Sequence, residues 1–109
     1  PMEFCEVASM SMELMAMPYL SAFYNEADAR RAQIDQLKRS ISILPSVALV
    51  DKFQHWVYEN PSVEAKDYAE KFRELHNVFG GGFIDYSGFE KQQGYDWQRI
   101  RHIFQVPFY

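Results

Sequence analysis

The sequence has one cysteine, Cys5, and only five prolines and five glycines among 109 residues. A single cysteine cannot form an internal disulfide, so we expect a reducing compartment, the cytoplasm. Charged residues interrupt every apolar run before it reaches the roughly 18 residues that a membrane-spanning helix needs, and no signal-peptide pattern opens the chain. The sequence therefore predicts neither a membrane protein nor a secreted one.

Basic residues are also in the minority, with 11 Lys and Arg against 15 Asp and Glu and a net charge of -4. Nucleic-acid binding depends on clustered Lys and Arg that neutralise phosphates, so a nucleic acid is not an expected partner. What is abundant is apolar surface, since 48% of the residues are hydrophobic and 17% aromatic. At this length, such a composition predicts one globular unit with a single core.

Apolar residues recur at three- and four-residue spacing through most of the chain, which predicts an all-α fold, a bundle of four to five helices. The clearest helix runs from Ser62, as its cap, to Phe79, where a glycine triplet ends it. Another begins after the cap Asn25 and is predicted to end at Pro45. A third, over 47–58, is apolar around much of its circumference and is expected to be central.

The two outer helices have less regular features. The first is predicted from about Phe4 to Tyr24, is rich in methionine, and should be kinked by Pro18. The last is predicted from about Tyr95 to the end of the chain. The segment 83–89 is predicted to be a loop, and no strand is predicted.

The first helix carries a polar stripe on a largely apolar surface. Glu6, Ser9 and Glu13 are spaced i, i+3 and i+7, so they share one face. A helix this apolar is expected to be buried on most sides, and two buried carboxylates require a cation or other partners. The alternative interpretation is that the stripe is the solvent side of an amphipathic helix.

A second polar stripe is predicted on the last helix, where Tyr95, Arg99, His102 and Tyr109 would share roughly one face. Imidazole and phenol groups can both donate a hydrogen bond to a developing oxyanion. They can equally be interfacial side chains that surface partners satisfy.

Other catalytic motifs are missing from the sequence. None of the three histidines, His55, His76 and His102, has a second histidine four residues away, so there is no helical zinc-binding pair. Cys5 has no neighbouring Cys or His, and the glycine triplet lacks the Lys-Ser or Lys-Thr of a phosphate loop. By itself the chain lacks a complete catalytic site.

Four motifs occur in an order that is typical of one family. They are Phe-Cys-Glu-Val-Ala-Ser-Met-Ser-Met-Glu at 4–13, Phe-Gln-His-Trp-Val-Tyr-Glu-Asn-Pro at 53–61, Phe-Ile-Asp-Tyr-Ser-Gly-Phe at 83–89, and the segment 97–109. Together they resemble the oligoendopeptidase F and thimet oligopeptidase family of zinc metallopeptidases, in its bacterial oligoendopeptidase F branch. The resemblance covers nearly the whole chain.

The resemblance implies a larger, helical, zincin-type catalytic domain that cleaves short peptides. Residues 1–109 would be a part of that domain that follows the His-Glu-x-x-His helix. It implies that Glu6 is the third zinc ligand, and that His102 and Tyr109 stabilise the tetrahedral intermediate. Glu13 matches a recurring acidic position, and our hypothesis is that it orients a zinc histidine.

Zinc catalysis needs about three protein ligands, and this chain offers one matched ligand and neither the zinc histidines nor the general base. We therefore expect a fragment that is inactive alone. Its apolar end and unpartnered helix faces are expected to favour self-association or domain swapping.

Two other readings fit the composition. The chain could be a non-enzymatic helical interaction module, with its Met-rich first helix in a partner's groove or forming the groove. A metal or redox bundle fits less well, because no His or carboxylate pair recurs on two helices.

Overall fold

The computed structural model describes residues 4–80, 82 and 84–108, and most of these residues are helical, with no β-strand among them. The predicted all-α fold is therefore confirmed. The five α-helices are α1 (Cys5–Ala16), α2 (Glu26–Glu59), α3 (Ala65–Phe79), α4 (Glu90–Tyr95) and α5 (His102–Gln105). Two 3-10 helices, Met17–Ala22 and Asp96–Arg99, follow α1 and α4. Within the described residues, no helix is both long and apolar enough to cross a membrane.

The chain divides into two compact units, Pro1–Ile43 and Leu44–Tyr109, and the division falls within α2. The first unit holds α1, the first 3-10 helix and the N-terminal part of α2. Among its described residues only Ala29 is a buried hydrophobic residue, so this unit has very little core of its own.

The core of the second unit is built around two phenylalanines. Phe53 of α2 is fully buried and Phe72 of α3 is 1% exposed, and their rings meet edge to face at 5.1 Å. Trp97 packs 5.6 Å from Phe53, measured between ring centroids. Helix α4 lies close to α3, since a Cβ at Gly94 would come within 2.9 Å of the Ala69 carbonyl oxygen. The predicted central position of residues 47–58 is confirmed within this unit.

Helix α2 runs unbroken through Pro45, so both the predicted helix end at Pro45 and the separate helix over 47–58 are wrong. A proline inside a helix removes one hydrogen bond and crowds the preceding turn, at a cost of about 3 kcal/mol. Ending the helix there would instead leave up to four carbonyls and four N–H groups without partners and require a second nucleation. Continuing the helix through Pro45 therefore costs less free energy than ending it and starting a second helix.

The start of α2 agrees with the predicted cap at Asn25, and its end at Glu59 lies one residue beyond the helix predicted over 47–58. The Asp28 N–H donates to Asn25 Oδ1 at 2.9 Å, as expected for a helix cap. At the other end the helix stops at Glu59, directly before the Asn60-Pro61 pair. A proline disfavours helical geometry in the residue before it, which explains this boundary.

Helix α3 begins at Ala65, three residues later than the predicted cap at Ser62. Glu64 stands at the N-cap with extended backbone, and its N–H donates to Asp67 Oδ2 at 2.9 Å in a capping box. The predicted stop is confirmed, because α3 ends at Phe79 and the Gly80 N–H donates to the His76 carbonyl at 2.7 Å.

The first predicted helix is α-helical only to Ala16. Pro18 has no N–H to donate to the Leu14 carbonyl, and that carbonyl instead accepts the N–H of Met17 in a tighter turn. The chain then continues as the 3-10 helix Met17–Ala22, so the predicted extension of an α-helix to Tyr24 is wrong.

Candidate functional site

The carboxylate of Glu6 lies on the exposed surface of α1. The Ser9 hydroxyl contacts it at 3.3 Å and donates to the Glu6 backbone carbonyl at 3.2 Å. None of the helix's residues is buried, so the expected burial of the polar stripe is wrong. The first unit provides too little chain to cover α1, and the Glu6 residue is exposed.

Glu13, on the same face, is engaged by α2. The Gln36 amide donates to Glu13 Oε2 at 2.6 Å, and Gln33 donates to the Met17 carbonyl at 3.0 Å. These two hydrogen bonds join α1 and the following 3-10 helix to α2 within the first unit. An open cleft of about 480 Å³ lies beside them, with Glu13, Arg31 and Gln36 in its lining.

His102 is the first residue of α5 and is exposed. Its carbonyl accepts the Val106 N–H at 3.1 Å, which closes this short helix. Tyr109, the second residue expected to act on the oxyanion, lies outside the described residues.

The single last helix predicted from Tyr95 onward is wrong, and so is the polar stripe on it. Tyr95 ends α4, Arg99 ends a 3-10 helix, and His102 begins α5. The helix is interrupted at Ile100, where a ψ of 97° places the backbone in the extended region. Ile100 packs against the core of the second unit, and this packing outweighs the continuity of the helix.

A contact between α2 and the C-terminal segment was not predicted from the sequence. Gln54 is 2% exposed, and its Nε2 donates to the Val106 carbonyl at 3.3 Å. The ring of Phe108 lies 4.7 Å from that of His55 and 5.2 Å from that of Tyr58. Nothing in the sequence around Gln54 indicated this contact, because polar residues such as Lys52 and His55 lie beside it in α2.

A second unpredicted polar cluster surrounds His76. Its Nδ1 lies 3.2 Å from Gln93 Nε2, and its Nε2 lies 3.5 Å from the Tyr86 hydroxyl. Gln93 is 4% exposed and also donates to Asn77 Oδ1 at 2.9 Å. The partners are 10 to 17 residues from His76, beyond the reach of helical spacing. The cluster ties α4 and the preceding loop to α3.

Two carboxylates, Asp85 in the loop before α4 and Glu90 at the start of that helix, have lowered pKa values. The hydroxyl and backbone N–H of Ser87 both donate to Asp85 Oδ1, at 2.6 and 2.9 Å, and lower the pKa of Asp85. Backbone N–H groups, including that of Gly88, lower the pKa of Glu90. Both shifts arise from short-range hydrogen bonds, to Ser87 for Asp85 and to the Glu90 and Gly88 backbone for Glu90.

The described residues do not form a metal site by themselves, because no group of three or more His, Cys, Asp or Glu side chains among them could hold an ion. Structural and catalytic zinc sites use about three or four protein ligands. Glu6, with a serine as its neighbour, supplies one carboxylate, so the residues present do not fit a complete zinc centre.

Comparison with known families places the chain among peptidases, since the model of Peptidase family M3 matches residues 1–109. The chain belongs to peptidase family M3. No curated protein and no solved structure matches it. Family M3 is generally zinc-dependent.

Proposed function

We propose that this chain supplies part of the catalytic site of a zinc metallopeptidase that hydrolyses short peptides, of the oligoendopeptidase F type. The observation that carries the proposal is the family match over residues 1–109. It is supported by the exposure of Glu6 and His102, because a metal ligand and an oxyanion donor must both be accessible.

In this proposal Glu6 contributes one carboxylate ligand to zinc, and the remaining ligands come from a His-Glu-x-x-His helix that these 109 residues do not contain. Glu13 would hydrogen-bond a zinc histidine, since metal-bound imidazoles usually donate their second N–H to a carboxylate or carbonyl. The Gln36 amide already holds one Glu13 oxygen at 2.6 Å and would fix the direction of the carboxylate.

His102 and Tyr109 would act on the substrate. Each can donate a hydrogen bond to the oxyanion that develops when the scissile carbonyl is attacked. Such a donor contributes mainly in the transition state, so its loss lowers kcat more than it changes KM.

The proposal is tested in a peptidase that contains this segment together with the His-Glu-x-x-His helix. Glu6→Gln is expected to lose most of the bound zinc, measured as metal content after dialysis, and its activity. His102→Ala is expected to keep its zinc and to lose about 100-fold in kcat with little change in KM, in line with the loss of one oxyanion donor.

Glu70→Gln, a change at an exposed glutamate of α3, is the matched control and should retain zinc and turnover. Normal zinc content in Glu6→Gln would contradict the ligand assignment. An effect of His102→Ala on KM alone would show that His102 serves substrate binding instead. The 109-residue chain alone should show no peptidase activity and no tight zinc binding by calorimetry.

A further inference from the structure

Gln54 is a buried polar side chain in the second unit. It is 2% exposed, and its neighbour Phe53 is fully buried. Its Nε2 donates to the Val106 carbonyl, while its Oε1 is buried and has no hydrogen-bond partner among the described residues. Burying an amide without full pairing is unfavourable, so a methionine or leucine of similar size would serve the core better.

The hydrogen bond that Gln54 makes joins segments 52 residues apart. Its acceptor, Val106, has extended backbone and lies where the chain leaves α5. The next residue is Pro107, which has no N–H and offers no backbone donor to hold this turn. The amide of Gln54 therefore fixes a carbonyl at a point where the backbone provides few bonds of its own.

Two more residues of the same helix hold the same segment. His55 and Tyr58 contact the ring of Phe108, two residues beyond Val106. The Val106 N–H in turn donates to the His102 carbonyl. One part of α2 thus holds the C-terminal end of α5, and the last backbone hydrogen bond of that short helix reaches back to His102, its first residue.

We propose that Gln54 is a positioning residue, which fixes the Val106 carbonyl and thereby orients His102. This inference rests on the proposed oxyanion role of His102. Oxyanion donors must be held close to their productive geometry, and small displacements cost large factors in rate. That requirement explains a buried amide at a position where an apolar residue would pack as well.

The test uses Gln54→Met in the same complete peptidase, with Gln92→Met on the exposed side of α4 as the matched control. We expect Gln54→Met to unfold no more readily than the wild type, because it removes a half-paired buried amide. It should lower kcat about tenfold with KM nearly unchanged. Hydrogen exchange of the Val106 amide should become several-fold faster, whereas exchange at Phe72 in the core should not change.

Phe108→Ala is a second variant, which removes the neighbouring ring contacts without altering the core, since Phe108 is 47% exposed. Like Gln54→Met, it should lower kcat with KM nearly unchanged and should make hydrogen exchange of the Val106 amide faster. Unchanged exchange at Val106 in Gln54→Met would overturn the proposal. The proposal would also fail if Gln54→Met showed faster exchange at Val106 but wild-type kcat, while His102→Ala showed a lowered kcat. If His102→Ala itself keeps wild-type kcat, the proposed function fails, and with it the catalytic part of this inference.

Discussion

Phe53 organises the core of the second unit through aromatic contacts on several sides. The ring centroids of Phe72, Trp97 and Trp56 lie 5.1, 5.6 and 6.4 Å from its own. Trp56 belongs to the same helix as Phe53, whereas Phe72 and Trp97 come from α3 and the second 3-10 helix, so one side chain joins α2 to two elements that follow it in the chain. Offset and edge-to-face pairs of this kind add stability beyond the area they bury.

Phe53→Ala is therefore expected to lower the free energy of unfolding by about 3–5 kcal/mol, because it leaves a cavity that fixed neighbours cannot fill. Phe89→Ala is the control, since Phe89 is 59% exposed and its loss should change stability by about 0.5 kcal/mol or less. Urea unfolding of the 109-residue chain measures both. Equal effects of the two substitutions would show that the aromatic cluster is not the core in solution.

Among the site residues, Glu6 and His102 could be named from the sequence only through family motifs. Their surroundings could not be predicted, because Gln36 lies 23 residues from Glu13 and Gln54 lies 52 residues from Val106. Helical spacing reports contacts within about one turn, whereas these hydrogen bonds depend on how the elements pack. The predicted burial of α1 failed for the same reason.

At the scale of elements, local sequence signals predicted several helix ends correctly. They did not predict which helices continue and which are interrupted. Asn25 and the glycine triplet marked helix ends correctly, because caps act through the nearest backbone groups. Pro45 was misread because the local cost of proline competes with the larger cost of ending and restarting a helix. Ile100 had correct helical spacing, but the helix is interrupted at this residue, which is partly buried and packs against the core.

Pro45→Ala should stabilise α2, because alanine restores the N–H that a helix interior requires. We expect the free energy of unfolding to rise by about 1–3 kcal/mol, less than the full propensity difference because alanine also increases the entropy of the unfolded chain. Pro61→Ala is the control, since Pro61 follows the helix and should give no gain. A loss of stability in Pro45→Ala would show that the helix requires its proline-induced distortion.

At the scale of the molecule, the two units differ in how much apolar surface they bury. The second has a buried aromatic core, whereas the first exposes large apolar side chains along all three of its elements. The most exposed of them, in these elements or directly beside them, are Phe4 63%, Met12 65%, Met15 67%, Tyr19 71%, Phe23 80% and Ile41 72%. Soluble monomers rarely expose apolar surface this densely, so these faces favour association.

We propose that the isolated chain self-associates through the first unit, by apolar packing or by exchange of α1 between copies. Sedimentation equilibrium should show a dimer or larger species with a dissociation constant in the micromolar range or tighter. Met15→Lys and Ile41→Lys should each weaken association about tenfold or more, because each removes a side chain whose burial is worth about 1.5–3 kcal/mol. Val78→Lys changes an equally exposed residue of α3, 68% accessible, and should leave the association unchanged. A chain that stays monomeric at about 100 μM would contradict the proposal. A dissociation constant of that size corresponds to an association free energy of only about −5.5 kcal/mol.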